Sequence, residues 1–316
     1  MPIGLGIGLS HAPGMYLSTE QEWDVLWHKL TTARGVPQPT SVSDETGDRL
    51  KEKIHRIRAA HVEVKRLYEA YAPDVLIIIG GDQTEMFDRS NVPQFMIFLG
   101  ESGTGRRPDT SLPPVDIAVD VAFSKWLLDR LVKQEGFDIA FSYEMKNLGK
   151  HHGFPHAYGY PTSFLFEDVQ TPTVIIYENT FDEPSLSAKR CYDLGAAIAR
   201  ITRNDPRRIA ILGSGGLAHD PRGRRAGWID EPLDRWFLDQ LAAGNGRATQ
   251  AMYTFDSDTM VGGTGEMRAW ITVAGAMEEM GSKAHVLDYI PAAKTVTGIG
   301  IASWHVDEQP AALAAE

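Results

Sequence analysis

His11, Gln83, His219 and Glu266 each follow a segment that reads as the end of a buried strand or a glycine-rich turn. Polar side chains in such places are free to do chemistry. Imidazole and carboxylate together, with positions left open, form the usual facial site for non-haem Fe(II) and oxygen. His11 closes the run Ile3 to Ser10, while Glu266 follows Gly262-Gly-Thr-Gly at the start of a helix, where the approach is short and the helix dipole favours a carboxylate. His219 follows Gly213-Ser-Gly-Gly-Leu-Ala, and a neutral histidine there is able to move a proton near neutral pH. The plain alternatives are a strand-end histidine bonded to backbone for His11 and a loop histidine bonded to Asp220 for His219. These residues are far apart in the chain, so no local motif decides between the readings.

His151-His-Gly-Phe-Pro-His-Ala-Tyr-Gly-Tyr-Pro is dense in histidine and aromatic residues, a composition suited to a pocket for a planar ligand, with a surface loop as its alternative. The glycine-rich turns at Gly80 and Gly213 lack the GxxxxGK[ST] pattern of a phosphate loop, and Ser214 lacks the full GxSxG spacing of a nucleophile elbow. Cys191 is the single cysteine. Multi-cysteine metal sites and internal disulfides are thereby excluded, and any metal must be held by histidine and carboxylates.

The elements that must position these groups are legible in part. Ile3 to Leu9 alternates glycine with aliphatic residues and reads as a short buried strand. Asp44 to Tyr71 has apolar residues at helical spacing, and Asp74-Val-Leu-Ile-Ile-Ile-Gly-Gly-Asp-Gln reads as a central strand of a covered sheet. Helices are expected over Asp116 to Glu135, Ser185 to Arg203, Glu231 to Leu241 and Glu266 to Met280, and strands over Thr173 to Tyr177 and Arg208 to Leu212. Alternating strands and helices predict a single-domain α/β sandwich with a central mixed sheet covered by helices. Ligands in such folds sit outside the carboxyl ends of the strands, so His11, Asp82-Gln83 and His219 are expected to converge. The domain is expected over residues 1–308, with a polar excursion at 15–45 serving as lid or partner surface and a flexible tail at 309–316.

A formal charge of −11 disfavours nucleic acid and anionic membrane as partners. No apolar run approaches the roughly 18 residues of a membrane span, and the start lacks the basic flank of a signal peptide, so a cytoplasmic location is the expectation.

Eight stretches then occur in one order: Ser10-His-Ala-Pro-Gly, Pro73-Asp-Val-Leu-Ile-Ile-Ile-Gly-Gly-Asp-Gln, His156-Ala-Tyr-Gly-Tyr-Pro, Lys189-Arg-Cys-Tyr-Asp-Leu-Gly, Gly213-Ser-Gly-Gly-Leu-Ala-His, Arg225-Ala-Gly-Trp-Ile-Asp, Gly265-Glu-Met-Arg-Ala-Trp and Tyr289-Ile-Pro-Ala. Through them the chain resembles the class III extradiol ring-cleaving dioxygenases, and most of all the protocatechuate 4,5-dioxygenase β subunits. The resemblance implies Fe(II) as cofactor, His11 and Glu266 as metal ligands, His219 as the acid/base histidine and His156 as a second pocket histidine that hydrogen-bonds substrate or oxygen. One departure matters: where the family carries Asp-His, with the histidine as third ligand, this chain has Asp82-Gln83. Gln83 is expected to coordinate through its amide oxygen or to support the ligands. A neutral ligand then replaces a neutral ligand, and the site becomes harder. Glu85 or Asp82 as the replacement ligand, or loss of the metal, are the alternatives.

The function implied is cleavage of a catechol-like aromatic ring with O2. The expected assembly is a homo-oligomer or a pairing with a small subunit. A metal-dependent hydrolase or lyase, and a metal-free ligand-binding protein, are the other readings of the same pocket.

Overall fold

The computed structural model describes residues 3–31, 35–144, 153–167, 170–221 and 223–306. In chain order the elements are β1 (Ile3–Leu9), α1 (Glu20–Thr31), α2 (Ser41–Asp44), α3 (Gly47–Tyr71), β2 (Val75–Gly80), β3 (Phe95–Phe98), β4 (Ser102–Gly105) and β5 (Val115–Ala118). They continue with α4 (Val121–Lys133), β6 (Ala140–Ser142), α5 (His156–Leu165), β7 (Thr173–Glu178), α6 (Ala188–Thr202), β8 (Ile209–Ser214), α7 (Glu231–Ala242), α8 (Met267–Glu279), β9 (Ala284–Ala292) and β10 (Thr297–His305).

Eight strands form one mixed sheet in the order β6-β3-β7-β2-β8-β1-β10-β9, and β4 with β5 makes a separate two-stranded ribbon. The middle of the sheet, β7-β2-β8-β1, is parallel, whereas β10 runs antiparallel to both β1 and β9. Every residue of β1, β2, β7 and β8 is buried, which is why these strands are continuous apolar runs rather than alternating ones. Alternation of side chains then sends Val75, Ile77 and Ile79 into a core with α4, α6 and α8, and Leu76 and Ile78 into a second core with α3 and α5. The result is the expected α/β fold, with helices on both faces of a mixed sheet. No helix among the described residues is long and apolar enough to cross a membrane.

One expectation needs correction. Residues 116–118 belong to β5 rather than to a helix; α4 begins only at Val121, where the Asp120 side chain accepts the Phe123 N–H at 2.9 Å and caps it. Within the 15–45 excursion, α1 and α2 form and α1 buries Trp23 completely. Of the two readings of the aromatic segment, the surface loop falls: from His156 onward it is helix α5, and the buried Tyr158 hydroxyl shares its proton between Gly80 O at 2.9 Å and Ile176 O at 3.0 Å, fastening the helix to β2 and β7. His151, His152 and the 309–316 tail lie outside the described residues.

Candidate metal centre

The parallel pairing of β1 with β8 sets Leu9 opposite Ser214, so the residues that follow emerge side by side at the carboxyl edge of the sheet. His11 is buried there, and its Nδ1 lies 2.9 Å from Ser214 Oγ. That contact turns the other nitrogen, Nε2, toward Glu266, whose Oε2 is 3.2 Å away. His11 Nε2 makes no hydrogen bond although it is fully enclosed. A buried ring nitrogen with no hydrogen bond, facing a carboxylate, fits a cation between them.

Glu266 reaches this point from a 3-10 turn over Gly262–Glu266 that leads directly into α8. Its two oxygens are held differently. Oε1 accepts from the Gln83 amide at 2.7 Å, while Oε2 accepts from the Gly216 N–H at 2.9 Å and also stands 3.6 Å from His219 Nε2. Gly215 is needed beneath it, since a Cβ there would come within 2.8 Å of the Glu266 Cβ. Burial alone would raise the Glu266 carboxyl, but the facing histidines His11 and His219 hold it well below the usual carboxylate range. Burial pushes His11 down, against the pull of Glu266, which favours the neutral imidazole that a metal requires.

His219 is fixed by the backbone. Its Nδ1 donates to Leu217 O at 2.7 Å, its N–H donates to Thr264 Oγ1 at 3.0 Å, and its carbonyl accepts the Thr264 N–H at 2.9 Å. A carbonyl accepts only, so Nδ1 carries the proton and Nε2 presents a lone pair to the cavity in the neutral ring. Gly263 packs on this ring: a Cβ would fall 2.1 Å from Nε2. The ring bond therefore goes to Leu217, not to Asp220.

His156 opens α5, and Glu85 holds it twice with one oxygen, accepting from the ring Nδ1 at 2.6 Å and from the backbone N–H at 3.2 Å. Burial would raise the Glu85 carboxyl, yet the charge of His156 and these two bonds bring it down to about 2. Burial lowers His156, but Glu85 outweighs it and the net direction is upward. The His156 ring meets His11 edge-on, with centroids 4.5 Å apart. Among the described residues, His11, His156 and Glu266 are brought together so that one donor atom of each lies within 4.8 Å of the others.

His11, Gln83, Glu85, His156, His219 and Glu266 all line one cavity of about 680 Å³. Its opposite wall is α1, which contributes Gln21, Glu22, Val25, Leu26, Lys29 and Leu30. Asp82 takes no part: its carboxylate accepts the N–H groups of Glu85, Met86 and Phe87 at 2.6, 3.0 and 2.7 Å and so builds the turn after β2. Sequence reasoning missed Ser214 as the partner of His11, although parallel pairing of the first strand with the strand ending at Ser214 would have revealed it. The bond between Glu85 and His156 left no signal in the sequence.

The model of the family described as the catalytic LigB subunit of aromatic ring-opening dioxygenase matches residues 5–299. The chain belongs to this family. Curated relatives include 2,3-dihydroxyphenylpropionate/2,3-dihydroxicinnamic acid 1,2-dioxygenases. The protein of that name from a Rhodococcus species is 30% identical over 171 residues, covering 54% of this chain and 51% of that protein. The Pseudomonas putida protein is 29% identical over 182 residues, covering 56% and 52%. That from Burkholderia vietnamiensis is 24% identical over 282 residues, covering 75% and 84%. The chain thus spans about half the length of the first two relatives. A crystal structure of an uncharacterized Escherichia coli K12 protein covers 95% of this chain and 99% of its own at 13% identity, with a TM-score of 0.46.

Proposed function

We propose that the chain is an extradiol dioxygenase that opens a catechol-like ring with O2, with divalent iron held by His11 and Glu266. Membership of the ring-opening dioxygenase family supports the reaction class. The observation that carries the reading is the enclosed His11 Nε2, without a hydrogen bond and 3.2 Å from an ionised Glu266 carboxylate in the wall of a cavity of about 680 Å³. When bound, such a metal supplies Lewis-acid activation of the ring hydroxyls and a redox centre for oxygen.

The remaining chemistry belongs to side chains of this protein. His219 is the acid/base group. With Nδ1–H committed to Leu217 O, its Nε2 accepts a proton from a ring hydroxyl and later returns one to oxygen derived from O2. Ser214 keeps the His11 ring oriented, and Gly216 and Gln83 keep the Glu266 carboxylate in place. Tyr160, which lies on the cavity wall beside His156, offers an aromatic face to a planar ring. Helix α1 forms one wall of the cavity, where it would limit the access of water to the reacting groups.

An oxygen electrode tests this directly. Protein reconstituted anaerobically with Fe(II) is expected to consume O2 on addition of a catechol and to form a yellow ring-opened semialdehyde acid. Bound metal without oxygen uptake across a panel of catechols would shift the assignment to a hydrolase or lyase, and protein that takes up no metal would leave a ligand-binding role.

A further inference from the structure

We propose that the imidazole missing at position 83 is supplied from another part of the fold: His156 is the third metal ligand, oriented by Glu85, while Gln83 stays off the metal and positions Glu266. This rests on the assignment of the centre to His11 and Glu266.

The donor set argues for it. His156 is the residue whose donor atom falls with those of His11 and Glu266 inside 4.8 Å. Its Nδ1 is taken by Glu85 at 2.6 Å, which leaves Nε2 as the free donor. His11 has the same division of labour, with Nδ1 on Ser214 and Nε2 free. A metal-bound histidine normally gives its other ring N–H to a carboxylate, carbonyl or hydroxyl, and that partner fixes both tautomer and ring direction. Glu85 is placed for this task, and its hold on the backbone N–H of His156 prevents the ring from being carried away by the helix.

Gln83 is committed elsewhere. A carboxylate accepts and does not donate, so the amide end that meets Glu266 Oε1 at 2.7 Å is its NH2 group. Glu266 is thereby held with Oε2 toward His11 and Oε1 on the Gln83 amide. Glu85 and Gln83 are positioning residues in this arrangement.

Cobalt(II) substitution reads the ligands without turnover. In the proton spectrum of the Co(II) protein, each coordinated histidine contributes one solvent-exchangeable ring N–H resonance shifted far downfield. Two are expected in the wild-type protein, from Nδ1–H of His11 and of His156. H156Q is expected to lose one and to bind Co(II) at least 10-fold more weakly, E85Q to move that resonance and bind roughly 10- to 100-fold more weakly, and Q83A to keep both. A single resonance in the wild-type protein, or a second one that survives H156Q and disappears in H219Q, overturns the proposal while leaving the assignment of His11 and Glu266 intact. Loss of neither resonance in H11A would overturn that underlying assignment. Because the wild-type count requires no variant, a misfolded mutant does not obscure the result.

Discussion

His11 Nε2 and Glu266 Oε2 stand 3.2 Å apart at the carboxyl edge of the sheet, one delivered by the first strand and the other by the turn before α8. Neither residue is held there by the other alone. Ser214 fixes the imidazole, and the Gly216 N–H with the Gln83 amide fixes the carboxylate. The pair is therefore set in place before any cation arrives, which lowers the cost of assembling a site.

Ser214 supplies the first test. S214A removes the hydrogen bond that holds His11 Nδ1 and leaves the ring free to turn. Metal affinity, measured by competition with a chromophoric chelator, is expected to fall roughly 10- to 100-fold with the fold unchanged by circular dichroism. Affinity equal to the wild type would show that Ser214 does not orient the ligand.

His219 separates binding from proton transfer. H219Q keeps a side chain of similar reach but has no basic lone pair at the position of Nε2. Turnover is expected to drop by about 10² to 10⁴ with bound iron retained. Unchanged oxygen uptake at full iron loading would remove His219 from the mechanism.

The reach of sequence reasoning differed between the framework and its lining. β1, β2 and β8 could be read because strands buried on both faces must be apolar throughout, and α3 and α6 because a one-sided helix repeats its apolar residues. The strand-end rule then brought His11, His219 and the Gln83 turn together. What escaped were elements made by tertiary contacts. α5 contains Gly159 and Pro161, poor helix formers, and is held by Glu85 at its start and Tyr158 in its middle. Half of the residues of α1 are exposed and only Trp23 and Thr31 are buried, so its apolar signal is thin. β3 to β6 span three or four residues each, too short for a period to register.

Arg58 on α3 anchors the chain that leads into α1. The guanidinium donates to the carbonyl of Met15, and at 3.1 and 3.0 Å to Leu17 O and Ser18 Oγ, pinning the chain just before the helix. R58M is expected to loosen this wall and raise the KM for a catechol about 10-fold with iron content unchanged. A KM within twofold of the wild type would mean that α1 does not shape the substrate cavity.

A pH signature lies away from the centre. Glu178, at the end of β7, is buried with one oxygen accepting from Thr272 at 2.5 Å and the other without a partner; burial pushes it up to about 7. The folded state thus keeps a proton that the unfolded chain releases at the usual carboxylate pKa of about 4.5. Stability from this group falls as pH rises from about 4.5 to 7 and is flat above that. E178Q cannot ionise, so it is expected to exceed the wild type by roughly 1–3 kcal/mol in urea unfolding at pH 8 and to approach it at pH 4.5. Equal destabilisation at both pH values would contradict a protonated Glu178.

In the proposed centre one cation sits between His11 and Glu266. Anaerobic titration of metal-free protein with Fe(II), followed by metal analysis after gel filtration, addresses it directly. One iron per chain is expected for the wild type and essentially none for H11A or E266A, both still folded. Full iron retention in either variant would contradict the account.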